Sequence, residues 1–282
     1  MFPTLIDLEP ILSIPIGIHS YGVMLATAFI TCSVLIQREL NRRGLEGDVA
    51  TTIVIAGAIG GILGAKIYFV FLDGRIEVAE IFSPSGLVWY GGLFGGSAAV
   101  AWVIQRSPNP FLPTVDVIGP LLLLGYGIGR IGCLLAGDGD YGPPTDVPWA
   151  MSFPNGTVPT TDLVHPTPIY ETSMSVIFFG ILWSQRKTAA SIPGLLFGAS
   201  LVLIGVERFI AEFWRLTPRV FPPTSSLSWL TSPQLVSILL ICFGIFFMVW
   251  MFKRPRVAVD VETPISEPKK ETPPPQKRRR RR

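Results

Sequence analysis

Charge is what this sequence has least of. Only 15% of its 282 residues are Asp, Glu, Lys or Arg, against about 25% in an average soluble domain. Histidine and cysteine are scarcer still, with two and three copies. No zinc-ligand spacing can be assembled from so few, and Cys32, Cys133 and Cys242 each fall inside an apolar run. A disulfide framework is therefore not the basis of the fold, and packing is the default role of these thiols. The first sixteen residues contain no Lys or Arg, so the charged start of a cleavable signal is missing and the first apolar run is expected to remain in the protein. Internal repeats and nucleotide-binding glycine loops are also absent. No cofactor, metal or nucleic-acid partner is expected.

What is present is apolar. Hydrophobic residues make up 49% of the chain, and the mean hydropathy is +0.49. Runs long enough for a hydrocarbon core of about 30 Å occur at Ile18–Ile36, Thr51–Leu72, Leu87–Ile104, Val115–Ala136, Ile169–Trp183, Ile192–Phe213 and Pro233–Phe252. This predicts an all-α polytopic membrane protein of about seven transmembrane helices. Barrel strands would be shorter and would alternate apolar with polar residues.

Basic residues orient the bundle, because short cytoplasmic loops collect them. With the N-terminus outside, the inner loops hold Arg38, Arg42, Arg43, Arg106, Arg186 and Lys187, and the outer segments only Arg75, Arg215 and Arg219. The expected topology is N-out and C-in. The formal charge of +3 conceals a tail, 253–282, with 11 basic and 4 acidic residues, which leaves −4 on the rest. Residues 1–252 are expected to form the seven-helix membrane domain, with a periplasmic loop at 137–168. The tail reads as a disordered polybasic cytoplasmic segment that can contact anionic lipid.

Glycines recur at four-residue spacing, Gly57, Gly60, Gly61 and Gly64 in the second run and Gly91, Gly92, Gly95 and Gly96 in the third, which predicts close helix contacts. The seventh run carries no such feature and is expected to face lipid.

The stretch Gly125–Gly142, GYGIGRIGCLLAGDGDYG, holds the informative charge. Arg130 lies in an apolar helix, six residues before its end, about 9 Å deep at 1.5 Å per residue. An intramembrane arginine is costly without an anion and so marks a functional site. At similar depth fall Lys66, Arg208, His19, Tyr21, Tyr90, Tyr170 and Glu171, while Arg208, Glu212 and Arg215 share one face by helical spacing. Such a gathering of cations fits a phospholipid head group, since guanidinium forks suit phosphate. Purely structural pairing, Arg208 with Glu212 and Arg130 with Glu207 or Asp138, is the alternative. Asp138 and Asp140 in their glycine loop read as turn formers rather than metal ligands.

Ser20-Tyr21-Gly22, Tyr90-Gly91-Gly92-Leu93, Gly129-Arg130-Ile131-Gly132, the stretch from His165 to Glu171, and that from Arg208 to Arg215 together resemble the prolipoprotein diacylglyceryl transferases. The resemblance covers nearly the whole chain except the tail. It implies transfer of the diacylglyceryl group from phosphatidylglycerol to the lipobox cysteine of exported prolipoproteins, in the bacterial inner membrane. It also implies that Arg130 and Arg208 hold the phosphate and stabilise the leaving group. Tyr21 and Tyr90 are catalytic candidates, and His19, Glu212, Asp138 and Glu171 are substrate-binding candidates. This chain has Tyr90 where the family usually has histidine, Cys133 where it has asparagine, and Asp138 where glutamate is common. The alternatives are a non-catalytic phospholipid-binding or lipid-transport protein, and a paralogue that alkylates another thiol.

Overall fold

A computed structural model describes residues 2–7, 17–73, 89–221 and 227–254. Seven α-helices run through them: α1 Ser20–Arg42, α2 Val49–Asp73, α3 Trp89–Arg106, α4 Phe111–Ala136, α5 Thr167–Gln185, α6 Leu195–Ala211 and α7 Ser232–Lys253. Each corresponds to one apolar run of the sequence. By length and apolarity alone α1, α2, α4 and α7 can cross a membrane. The shorter α5 and α6 carry Glu171 and Glu207, which are buried inside the bundle, and Arg208, which is half-buried and paired with Glu171. The chain is a multi-pass membrane protein. Arg75 and most of the tail, from residue 255, lie outside the described residues.

The glycine spacings of α2 and α3 do what they predict. A side chain at Gly64 would strike the carbonyl oxygen of Gly91 and the backbone of Gly95, and one at Gly60 would meet Ala99 and Gly95. The two helices therefore touch backbone to backbone. In α4, Gly119 lies against Ser200 of α6, Gly125 against Cys32 of α1, Gly127 against Ser175 of α5 and Gly132 against Tyr21 of α1. Gly129, next to Arg130, has open space around it.

The expectation for the seventh run holds for one face, where Leu239, Phe243 and Phe246 are exposed, and is corrected for the other, which is not featureless. Helix α7 packs on α6 through Ser237, Gly244 and Met251, buried at seven-residue spacing against Gly205, Gly198 and Gly194. Serine and glycine in an otherwise apolar run are weak hydropathy signals, yet they permit the close approach. Its start is set by Thr231 and Gln234, which cap each other's backbone N–H groups at 3.4 and 3.1 Å.

Two small hairpins close the end of the bundle where Arg130 lies. Strand β1 (Thr4–Asp7) pairs antiparallel with β2 (Gly17–His19). This hairpin is anchored by Phe2 N–H donating to the carbonyl of Leu135, 3.0 Å, and by Ser20 N–H donating to that of Pro3, 3.0 Å. Helix α1 thus begins at Ser20, two residues later than the apolar run, because His19 and Ile18 are engaged in the strand. Between α4 and α5, β3 (Met151–Phe153) pairs with β4 (Thr160–Val164).

Candidate functional site

The site grows from the C-terminal third of α4. Arg130 is 7% exposed and points into the space between α4, α5 and α6. Gly137 ends the helix with φ of +60°, its N–H bonded to the Cys133 carbonyl, a left-handed cap that glycine adopts without steric cost. The chain then doubles back, and Asp140 meets the arginine it left ten residues earlier. Asp140 Oδ2 lies 2.5 Å from Arg130 Nη1, and its Oδ1 lies 2.6 Å from Arg215 Nη2.

Glu171, fully buried on the first turns of α5, is the centre of the cluster. Its Oε1 is 3.1 Å from Arg215 Nη1 and 3.6 Å from Arg208 Nη1, and its Oε2 pairs with Arg130 Nε. One carboxylate thus gathers three guanidiniums from separate parts of the chain. The position just after α6 adds Glu212, whose Oε2 is 2.7 Å from Arg208 Nη2. Helix α6 ends at Ala211 and a 3₁₀ turn carries Glu212–Trp214, so Arg215 reaches the cluster from an extended residue rather than from the helical face its spacing suggests.

Electrostatics holds the loop in place. Burial acts to raise the Asp140 carboxyl, but Arg130 and Arg215 outweigh it and hold the group below the usual carboxylate range. For Arg215, burial acts to lower the guanidinium, while Asp140 and Glu171 more than compensate and raise it. The loop is also tied by Thr167 Oγ1 donating to the Asp140 carbonyl and by Gly142 N–H donating to that of His165, 2.9 Å.

The predicted residues are brought together unequally. Arg130, Arg208, Glu171 and Glu212 form one ion-pair network. Tyr21 packs its ring on Gly132, two residues along α4 from Arg130. Tyr126 places its ring 5.8 Å from the Arg130 guanidinium carbon. Asp138 accepts the Asp140 backbone N–H at 3.3 Å, and so shapes the turn that delivers Asp140. His19 stands exposed on β2, paired with Thr4, and belongs to no described ion pair. Tyr90 is half-buried at the start of α3, on the α2–α3 pair. The structural alternative for Arg130 is corrected too: its partners are Asp140 and Glu171, not Glu207 or Asp138, because the Gly137 turn brings Asp140 back over the helix.

Sequence reasoning read Asp140 as a turn former and set Arg215 on the Arg208 face without a role of its own, although both were visible as charges in notable stretches. Cys133, Asp138 and Asp140 have ligand atoms within 4.8 Å of one another. Arg130 donates to Cys133 Sγ at 3.4 Å, and two guanidiniums face Asp140, so the surroundings favour an anion over a cation.

Residues 10–250 match the family model for prolipoprotein diacylglyceryl transferase. The chain belongs to that family. Among its relatives is a phosphatidylglycerol–prolipoprotein diacylglyceryl transferase of Clostridium tetani, 34% identical over 81% of this chain and 91% of the relative. Another of the same name, from Aliivibrio fischeri, is 30% identical over 95% and 94%, and one from Leptospira interrogans is 29% identical over 83% and 89%. The resemblance carried by the short motifs thus extends across the bundle, and this member of the prolipoprotein diacylglyceryl transferases is a transferase that holds its arginines around one buried glutamate.

Proposed function

We propose that the chain transfers the diacylglyceryl group of phosphatidylglycerol to the lipobox cysteine thiol of exported prolipoproteins, at the outer face of the bacterial inner membrane. The observation that carries this reading is the Asp140 carboxylate bridging Arg130 and Arg215. Its two oxygens stand for the two non-bridging oxygens of a phosphodiester. With Asp140 in place, the three arginines are matched by three paired carboxylates, and the cluster has no net attraction for another anion. Asp140 is the one with access to water, its side chain 33% exposed against none for Glu171 and Glu212, and its departure costs least. When it swings out, the head-group phosphate takes its place on Arg130 and Arg215.

The cysteine sulfur then attacks the terminal carbon of the diacylglyceryl group. A carbon–sulfur bond forms as the carbon–oxygen bond to phosphate breaks, and its electron pair stays on the phosphate oxygen. The phosphodiester monoanion becomes a monoester dianion, and the guanidiniums are already placed for the added charge. Preorganised donors of this kind stabilise the transition state more than the ground state. Arg208, held by Glu212, supplies the third guanidinium. Tyr21 and Tyr90 serve as hydrogen-bond donors, and His19 and Asp138 shape the mouth around the lipid.

In this reading residues 1–252 are the catalytic unit, with the N-terminus outside, and the tail rests in the cytoplasm against anionic lipid. A reporter fused after Arg256 should be active only in the cytoplasm. The deciding assay is release of glycerol phosphate from labelled phosphatidylglycerol together with thioether formation on a lipobox peptide. A lipid-binding or transporting protein leaves the phosphodiester intact, and a paralogue for another thiol leaves the peptide unmodified.

A further inference from the structure

Besides atoms already engaged in ion pairs, four buried polar atoms of the cluster lack a hydrogen-bond partner among the described residues: Arg130 Nη2 on α4, Ser175 Oγ on α5, Glu207 Oε1 on α6 and Glu212 Oε1 just beyond it. Buried polar groups are almost always satisfied, so orphans at one place need a reason. Glu207 is the most costly of them, a carboxyl 2% exposed and engaged in no hydrogen bond or ion pair among the described residues.

The other acids of the cluster are occupied. Asp140 and Glu171 give both oxygens to guanidiniums, and Glu212 gives Oε2 to Arg208. A proton placed on any of them would loosen an arginine that the phosphate needs. Glu207 alone can take a proton without releasing an arginine. The charged and titratable groups that face it are Tyr126 and Arg130 from α4, Glu171 from α5, Arg208 on its own helix and Arg215 beyond it. Helix α7, packed on the same helix, offers only the uncharged Gln234 and Ser237.

We propose that Glu207 receives the proton of the acceptor thiol. This rests on the transferase reading, whose chemistry requires a proton acceptor, since the thiolate is the nucleophile. Neither histidine serves: His19 is exposed on β2, and His165 Nδ1 is held 3.1 Å from the Tyr170 hydroxyl. The proton leaves sulfur for Glu207 Oε1 as the C–S bond forms and the C–O pair passes to phosphate. Glu207 loses one negative charge while the phosphate gains one, so the total charge of the site does not change. In a poorly hydrated site that balance avoids the cost of creating net charge.

The test is Glu207→Gln, which keeps the shape and removes the proton acceptor, in the full-length protein with phosphatidylglycerol vesicles and a lipobox peptide. At pH 6 to 7, kcat is expected to fall about a hundredfold or more, as for loss of a general base, while KM for phosphatidylglycerol stays within about twofold. The deficit should shrink as pH rises to 9, above the free-thiol value of about 8.5, because the peptide then arrives ionised. Glu207→Asp should recover part of the loss at pH 7. A deficit independent of pH would mark a structural role and overturn the proposal, as would near-normal turnover of Glu207→Gln. Failure of the wild type to form thioether would instead overturn the transferase reading and this proposal with it.

Discussion

At the N-terminal end of α4, Glu39 of α1 gathers Arg42, Arg43 and Arg186; at the C-terminal end, Glu171 gathers Arg130, Arg208 and Arg215. The two clusters share a plan, one buried glutamate among three guanidiniums, but differ in what is left over. Around Glu39, Arg43 and Arg186 spend further donors on backbone, while Arg186 Nε, 3.4 Å from Glu39, makes no hydrogen bond among the described residues. Arg43 reaches the carbonyls of Pro113 and Arg186 at 3.2 and 3.5 Å, and Arg186 donates to that of Trp183 and lies 4.5 Å over its ring. Nearby, Asp116 spends both oxygens on the N–H groups of Gly194 and Phe197 at the start of α6, 2.6 and 2.7 Å. Around Glu171 the excess is carboxylates and unpartnered atoms, with Asp140 reaching in from a loop. A cluster whose groups are spent on the backbone locks helices together, whereas one with groups in reserve can bind and react.

The largest effect expected from this contrast is on turnover at the Glu171 cluster. Arg130→Ala and Arg208→Ala should each lower transfer by at least 10²- to 10³-fold, about 2.7 to 4 kcal/mol of transition-state stabilisation, with the protein still inserted. Arg130→Lys should recover little, since a point charge cannot reproduce the fork. Near-normal turnover of Arg130→Ala, measured as initial rate on a lipobox peptide, would remove the cluster from the chemistry and erase the contrast.

Glu39→Ala should behave in the opposite way. Breaking a buried pair by removing one partner costs about 3 to 5 kcal/mol, read as a lowered unfolding midpoint in detergent. Turnover per folded molecule should change less than about twofold. Equal losses of rate and stability would mean that the two ends are coupled.

Tyr90→Phe sharpens the assignment within the site. As a hydrogen-bond donor Tyr90 is worth about 1 to 2 kcal/mol, roughly a tenfold rate effect, and Tyr90→His should be tolerated. A loss of a hundredfold or more in Tyr90→Phe across pH 6 to 9 would give Tyr90 the role of base.

For Asp140 the effect is one of pH. Its folded-state carboxyl is depressed by Arg130 and Arg215, so its contribution to stability is complete above the unfolded value of about 3.9 and is lost as pH falls through the lower, folded one. The stability difference between wild type and Asp140→Asn should therefore be flat from pH 5 to 8 and shrink below about pH 4. A difference that instead varied between pH 6 and 8 would show that the latch depends on another group. Smallest of all is deletion from Val259 onward, which should leave turnover unchanged at equal membrane abundance, because polybasic attraction fades within a Debye length.

The seven helices were legible from hydropathy because an apolar run of that length has few other stable solutions in a membrane. Arg130 was legible as functional for the same reason, a charge where charge is expensive. The glycine faces of α2 and α3 could be read from spacing, since only glycine admits such contacts. What could not be read was pairing. The partners of Arg130 are ten and forty-one positions away, and choosing Asp140 over Asp138 depends on the left-handed turn at Gly137 and the return of the loop past His165. Arg215 enters only because α6 tightens into a 3₁₀ turn. Glu39, Asp116 and Glu207 look alike in the sequence, each an acid in or beside an apolar run. The sequence by itself determined the membrane helices and which charges must be sheltered, because burial in hydrocarbon follows from local composition. Only the tertiary structure decided which charge meets which and which is left without a partner, because ion pairing depends on distances between segments that are far apart along the chain.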